Sequence, residues 1–230
     1  MPQSRNLPGI CRCCGEFRYT AFVIKAIFFD FDGVLTTDDR GSVTTSKNLC
    51  ARYPHLSFDD VLACYRKDID CINVGACTMR EVWKRMCAEL KITDDYAVFQ
   101  KILRTVPMNE SMLTLARSLK PNYVLGIITS NSEERIELIT ADLKLNELFD
   151  PIIVSAVLKS TKKDGATAIF DAALAAAGCR ADEAVFIDNQ EKCLEIPATM
   201  GFKTYFHDDT KNDMAALRRA LKGWEIFITV

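Results

Sequence analysis

Short runs of β-branched and aromatic residues alternate with amphipathic stretches along most of this chain, and that alternation admits few folds. Val23–Asp30, Tyr123–Thr129, Pro151–Val154, Ala184–Ile187 and Phe202–Phe206 read as buried strands. Helical patterns follow them near 109–120, from Ser132, over 165–177, over 190–200 and over 214–221. Strands alternating with helices imply a parallel sheet joined by right-handed crossovers, with helices on both faces. The expected fold class is α/β, a Rossmann-like three-layer core, and its functional groups should lie just past the strand ends.

Residues 41–106 interrupt this alternation and are expected to form an inserted all-helical cap domain, after a polar loop over Thr36–Ser46. Val82, Met86 and Leu90 share one helical face, as do Tyr96, Phe99 and Leu103. Ser57 and Thr93 are placed as N-caps. The expected division is an N-terminal extension over 1–21, a core of 22–40 and 107–230, and a cap of 41–106.

Lys+Arg 29 against Asp+Glu 31 leaves a net charge of −2. So balanced a chain offers no footprint for nucleic acid or an anionic membrane, and the expected partner is a small molecule. The stretch Ala21–Leu35 carries Lys25, Asp30 and Asp32, which excludes a transmembrane helix. With no secretory signal in Met1–Tyr19, the expected location is cytoplasmic. Cys50, Cys64, Cys71, Cys77, Cys87, Cys179 and Cys193 are scattered singly, as reduced and buried thiols are. Cys11, Cys13 and Cys14 cluster near the start; half a zinc site by spacing, they have no second half and are read as incidental.

The strand ends carry the chemistry. Asp30 follows the first strand, Ser130 the second and Asp188 the run Ala184–Ile187, while Lys159, Lys162 and Lys163 lie beyond Pro151–Val154. Asp30 and Asp32 leave one buried strand together, and Gly33 lets the chain turn sharply. Two carboxylates that close need a cation or a shared proton, and hard carboxylate oxygens suit Mg²⁺. One can attack phosphorus while the other protonates the leaving oxygen. The phosphoryl oxygens then need donors, a hydroxyl from Ser130 and an ammonium from a lysine.

Phe29-Asp-Phe-Asp-Gly-Val-Leu-Thr36 and Ile127-Ile-Thr-Ser-Asn131 resemble the first and second motifs of the haloacid dehalogenase-like (HAD) hydrolase superfamily, over about 23–207. The resemblance implies Asp30 as nucleophile and Asp32 as general acid/base and, through its main-chain carbonyl, metal ligand. It implies Ser130 (Thr129 being the alternative) and Asn131 at the phosphate, and Asp30, Asp32, Asp188 and Asn189 around the metal. Asn189 stands where the family usually has a second Asp. The family's lysine corresponds to Lys162 or Lys163, with Lys162 preferred by the Lys-x-Asp spacing. The insert resembles a C1-type cap, with Arg66, Lys67, Asn73 and Arg80 as candidate substrate contacts. The expected activity is Mg²⁺-dependent hydrolysis of a small phosphate ester. A phosphomutase of the same fold and a non-catalytic binding or regulatory protein are the alternatives. His55 and His207 are too isolated for histidine chemistry, and Trp83 and Trp224 are read as packing residues.

Overall fold

In the computed structural model, residues 23–229 are described; the expectations for 1–21, including the Cys11/Cys13/Cys14 cluster, lie outside them. Five parallel strands form one sheet: β1 (Ala26–Phe29), β2 (Val124–Thr129), β3 (Ile152–Val154), β4 (Ala184–Asp188) and β5 (Lys203–Phe206), in the order β3-β2-β1-β4-β5. β1 lies at the centre with both faces buried, which is why it is apolar throughout rather than alternating. Ile27 and Phe29 point into one layer, where they meet α6 (Glu110–Leu119), α7 (Glu133–Leu143) and α11 (Met214–Gly223). Ala26 and Phe28 point the other way, towards α9 (Ala168–Ala177) and α10 (Glu191–Met200). The expected three-layer α/β core is present.

Between β1 and β2 the chain forms α1 (Gly41–Arg52), α2 (Phe58–Arg66), α3 (Ile69–Asn73), α4 (Met79–Leu90) and α5 (Tyr96–Arg104). These helices enclose a hydrophobic cluster of their own, in which Trp83 stacks on Phe99 at 4.6 Å between ring centroids. That placement matches the packing role read for Trp83.

Several local expectations are corrected. α1 starts at Gly41, inside the stretch read as a loop. Its Ser42, Thr44, Thr45 and Ser46 are buried, so residues that read as a loop lie inside the first turns of a helix instead. Ser57 caps α2 as read, but α5 is capped by Asp95 rather than Thr93, its carboxylate accepting from the Val98 amide. Not every cysteine is a free thiol, since Cys71 and Cys77 are joined in a disulfide. They come within reach because α3 ends at Asn73 and the chain folds back at once through Gly75. That turn is fastened to the core: the Ser155 hydroxyl donates to Asn73 O at 2.6 Å, and a Cβ on Gly75 would lie 2.4 Å from Ala156 O.

His207, just after β5, is 1% exposed and its Nε2 is buried without a partner. Burial holds its pKa below the ordinary 6.5, against the pull of Asp209. The folded chain therefore binds fewer protons here than the unfolded chain, so the stability this residue allows is present above about 6.5 and falls as pH falls. Urea midpoints measured between pH 7 and 5 are expected to drop more steeply for the wild type than for His207→Leu; parallel curves would refute this.

Candidate functional site

The site forms where β1, β2 and β4 end. The Asp30 amide donates to Ile187 O at 2.8 Å, which continues the β1–β4 pairing up to the carboxylates. Phe31–Leu35 then makes a turn that is non-helical at Asp32 and Gly33 and is closed by the Thr36 amide donating to Phe31 O at 3.1 Å, while Asp30 Oδ1 accepts from the Phe31 amide at 2.7 Å. Gly33 sits in this turn at φ +81° and faces the Asn189 side chain so closely that a Cβ would lie 2.0 Å from Nδ2. Conformation and space both demand glycine there.

Lys162 is 1% exposed, with its ammonium 2.7 Å from Asp30 and 2.6 Å from Asp188. Its own amide donates to the Ser130 hydroxyl at 3.3 Å. Burial alone would lower the lysine pKa, but Asp188 and Asp30 more than reverse that and raise it. Two carboxylates share this one cation. Burial, and next the charge of Asp188, push Asp30 up to about 7, although Lys162 pulls it down. The cluster is thus short of positive charge by one unit when both carboxylates are ionised.

Asp32 is held separately. Arg135, from the first turn of α7, grips its carboxylate at both oxygens, Nη1 to Oδ2 and Nη2 to Oδ1, each at 2.9 Å. Asn131 Nδ2 donates to Oδ2 at 2.8 Å. Arg135 is 1% exposed. Burial would lower its pKa, and the Asp32 charge instead raises it.

Asp30, Asp32, Thr129, Ser130, Asn131, Lys162 and Lys163 border a cavity of about 300 Å³, whose opposite wall is made by α2 and α3 of the insert. Of the three candidate lysines, Lys162 sits between the carboxylates, Lys163 is exposed with its ammonium on Gln190 Oε1, and Lys159 is exposed. Asn131 lies in the cavity wall, but its Nδ2 donates to Asp32 and its Oδ1 accepts from the Ser132 amide. Of the four insert candidates only Asn73 reaches the cavity. Lys67 pairs with Glu89 and Arg80 lies 4.2 Å from the Tyr96 ring centroid, both away from it; Arg66 is exposed and lines no part of it. Sequence reasoning missed Arg135 altogether, because a basic residue in the first turn of a helix gives no sign of being buried.

Among the described residues no three His, Cys, Asp or Glu side chains form a ready-made metal cage. The donor set nevertheless suits a hard cation that keeps several waters. Asp30 and Asp188 supply carboxylate oxygens 2.7 and 2.6 Å from a common ammonium, the charge is one positive unit short, and Asn189 Oδ1 is buried with no hydrogen-bond partner.

The sequence pattern of the haloacid dehalogenase-like hydrolases matches residues 27–206. Comparison with curated proteins returns no match. A HAD family enzyme from Bacteroides thetaiotaomicron, in complex with magnesium and inorganic phosphate, is 18% identical with a TM-score of 0.67, over 85% of this chain and 100% of that one. A HAD-like family hydrolase from Porphyromonas gingivalis is 19% identical with a TM-score of 0.64, over 87% and 98%. An L-2-haloacid dehalogenase from Xanthobacter autotrophicus, with chloropropionic acid covalently bound, is 15% identical with a TM-score of 0.62, over 89% and 85%. At these identities the neighbours speak for the fold, while the family pattern runs from β1 to the end of β5, through every strand that carries the site. The chain belongs to the haloacid dehalogenase-like hydrolases.

Proposed function

We propose that this hydrolase is a Mg²⁺-dependent phosphomonoesterase that passes a phosphoryl group through Asp30. The observation that carries the reading is the buried Asp30–Lys162–Asp188 cluster, one positive charge short, with a second aspartate two residues on and a small cavity above it. A phosphate ester brings more negative charge, which such a site accepts only with a divalent cation. A dehalogenase is disfavoured, because Asp32 stands where those enzymes lack an aspartate.

Asp30 and Asp188, with the main-chain carbonyl of Asp32, would hold the ion, and Asn189 Oδ1 would accept from one of its waters. When bound, Mg²⁺ offsets the charge of the carboxylates and of the phosphoryl oxygens. The chain's own residues do the rest. The Asp30 carboxylate attacks phosphorus while the ester P–O bond breaks, and the leaving oxygen takes its proton from Asp32. Ser130 and Lys162 face the phosphoryl oxygens as donors. In the second half, water attacks phosphorus, the bond to Asp30 breaks, and Asp32 takes the water's proton.

The helices over 41–104 act in this reading as a cap that shields the site from water. A cavity of about 300 Å³ is at the small end for ligand sites, which favours a small phosphorylated metabolite over a nucleic acid or a protein. The test is hydrolysis of p-nitrophenyl phosphate and a panel of small phosphate esters. Turnover that needs Mg²⁺ and stops with EDTA is expected. Folded, Mg²⁺-supplied protein that releases no phosphate from any ester would refute the reading.

A further inference from the structure

The Arg135–Asp32 pair goes beyond what the proposed reaction requires of the chain, and its geometry is specific. A carboxylate has about four lone-pair positions. On Asp32 two at Oδ2 are taken, by Arg135 Nη1 and Asn131 Nδ2, and one at Oδ1 is taken by Arg135 Nη2. One position on Oδ1 is left, on a residue that lines the cavity beside Asp30.

The clamp is itself packed between Phe31 and Gly41, although Arg135 Nε is buried without a hydrogen-bond partner. The Arg135 amide donates to the Ser132 hydroxyl that caps α7, and its guanidinium carbon lies 5.7 Å from the Phe31 ring centroid. Gly41, the first residue of α1, closes over it: a Cβ there would lie 2.7 Å from Arg135 Nη1 and 3.0 Å from Asp32 Oδ2. The fork therefore cannot swing away without moving either the core helix or the entry to the insert. A planar bidentate fork fixes the plane of a carboxylate as well as its position, which a lysine cannot do.

We propose that Arg135 is a positioning residue for Asp32 in the second half of the reaction, holding Oδ1 where it receives the proton of the attacking water. The proposal rests on the phosphatase reading. In the step concerned, the water oxygen bonds to phosphorus, the P–O bond to Asp30 breaks with its electron pair returning to that carboxylate, and the water proton passes to Asp32 Oδ1. Formation of the acyl phosphate on Asp30 from an aryl phosphate makes little demand on Asp32, because the aryl oxide is a good leaving group. Loss of the clamp should therefore slow the two halves unequally.

The experiment compares wild type, Arg135→Met and Arg135→Lys on p-nitrophenyl phosphate with Mg²⁺. In Arg135→Met, kcat is expected to fall about 10²-fold, on the scale of a lost general base. KM should fall with it, leaving kcat/KM nearly unchanged. Rapid mixing should show a burst of p-nitrophenolate near one equivalent per chain, and acid-quenched protein should retain the phosphoryl group. Arg135→Lys should show the same burst with a smaller loss of kcat. A fall in kcat/KM equal to that in kcat, with no burst, would overturn the proposal in favour of a merely structural arginine. Amide hydrogen exchange gives an arm independent of turnover: Arg135→Met should speed exchange at Gly33–Ser42 at least about tenfold while β1, β2 and β4 stay protected. Unchanged exchange there refutes the clamp. A wild type that turns over no ester refutes the phosphatase reading, and the exchange result then decides the clamp alone.

Discussion

Asp30→Asn is expected to abolish Mg²⁺-dependent ester hydrolysis, by on the order of 10⁴-fold or more, without loss of fold. The amide is nearly the shape of the carboxylate, so the turn at Phe31 keeps its acceptor and the packing is unchanged. What disappears is the anionic oxygen that would attack phosphorus. The same substitution removes one of two buried charges that share Lys162. Asp30 carries the cost of that arrangement, since burial and Asp188 push it up to about 7. The variant should therefore unfold in EDTA at a urea concentration equal to or above that of the wild type. Inactivation together with unchanged or raised stability separates a nucleophile from a structural residue. Residual turnover above a few per cent, in protein free of wild type, would exclude Asp30 as the attacking group.

The second large effect is expected at Lys162, and there stability and activity should fall together. Lys162→Met replaces a buried ammonium by a side chain of similar length and leaves Asp30 and Asp188 facing each other without a cation. Removing one partner of a buried ion pair typically costs about 3–5 kcal/mol, because the remaining charge is still buried. Part of that cost can be avoided if the two carboxylates share a proton, so the loss should be smaller at pH 5 than at pH 8. Mg²⁺ should restore part of the stability, since it binds the same carboxylates. Denaturation with and without Mg²⁺ at the two pH values checks this. A variant as stable as the wild type in EDTA at pH 8 would show that the cluster carries less charge than its geometry implies. Turnover should drop about 10²–10³-fold even with Mg²⁺ present, because a donor to the phosphoryl oxygens is lost.

The two outcomes also bear on the alternatives read from the sequence. A non-catalytic member of the fold would show the Lys162 stability effect, which is electrostatic, but no activity for Asp30→Asn to remove. The pair of variants thus tests structure and chemistry apart.

The sequence alone determined the layers of this protein. A strand buried on both faces must be apolar throughout, and a helix packed on a sheet must repeat its apolar residues every 3–4 positions, so strand and helix are visible in one dimension. A parallel sheet also puts its strand ends on one side, which is why Asp30, Ser130 and Asp188 could be picked out as neighbours although more than 150 residues separate the first from the last. Tertiary structure alone decided everything that depends on where a flexible, charged side chain goes. Among Lys159, Lys162 and Lys163 the Lys-x-Asp spacing gives Lys162 only a slight preference, and the packing of the loop after α8 (Ser155–Leu158) is what buries it between two carboxylates. Arg135 is invisible for the same reason: its burial is set by Asp32, 103 residues away, and by Gly41 closing over it. The pairing of Cys71 with Cys77 depends on the turn at Gly75, which no periodicity reports. Local patterns record how much of each element is buried, whereas the partner of a buried charge is a long-range property that the chain acquires only on folding.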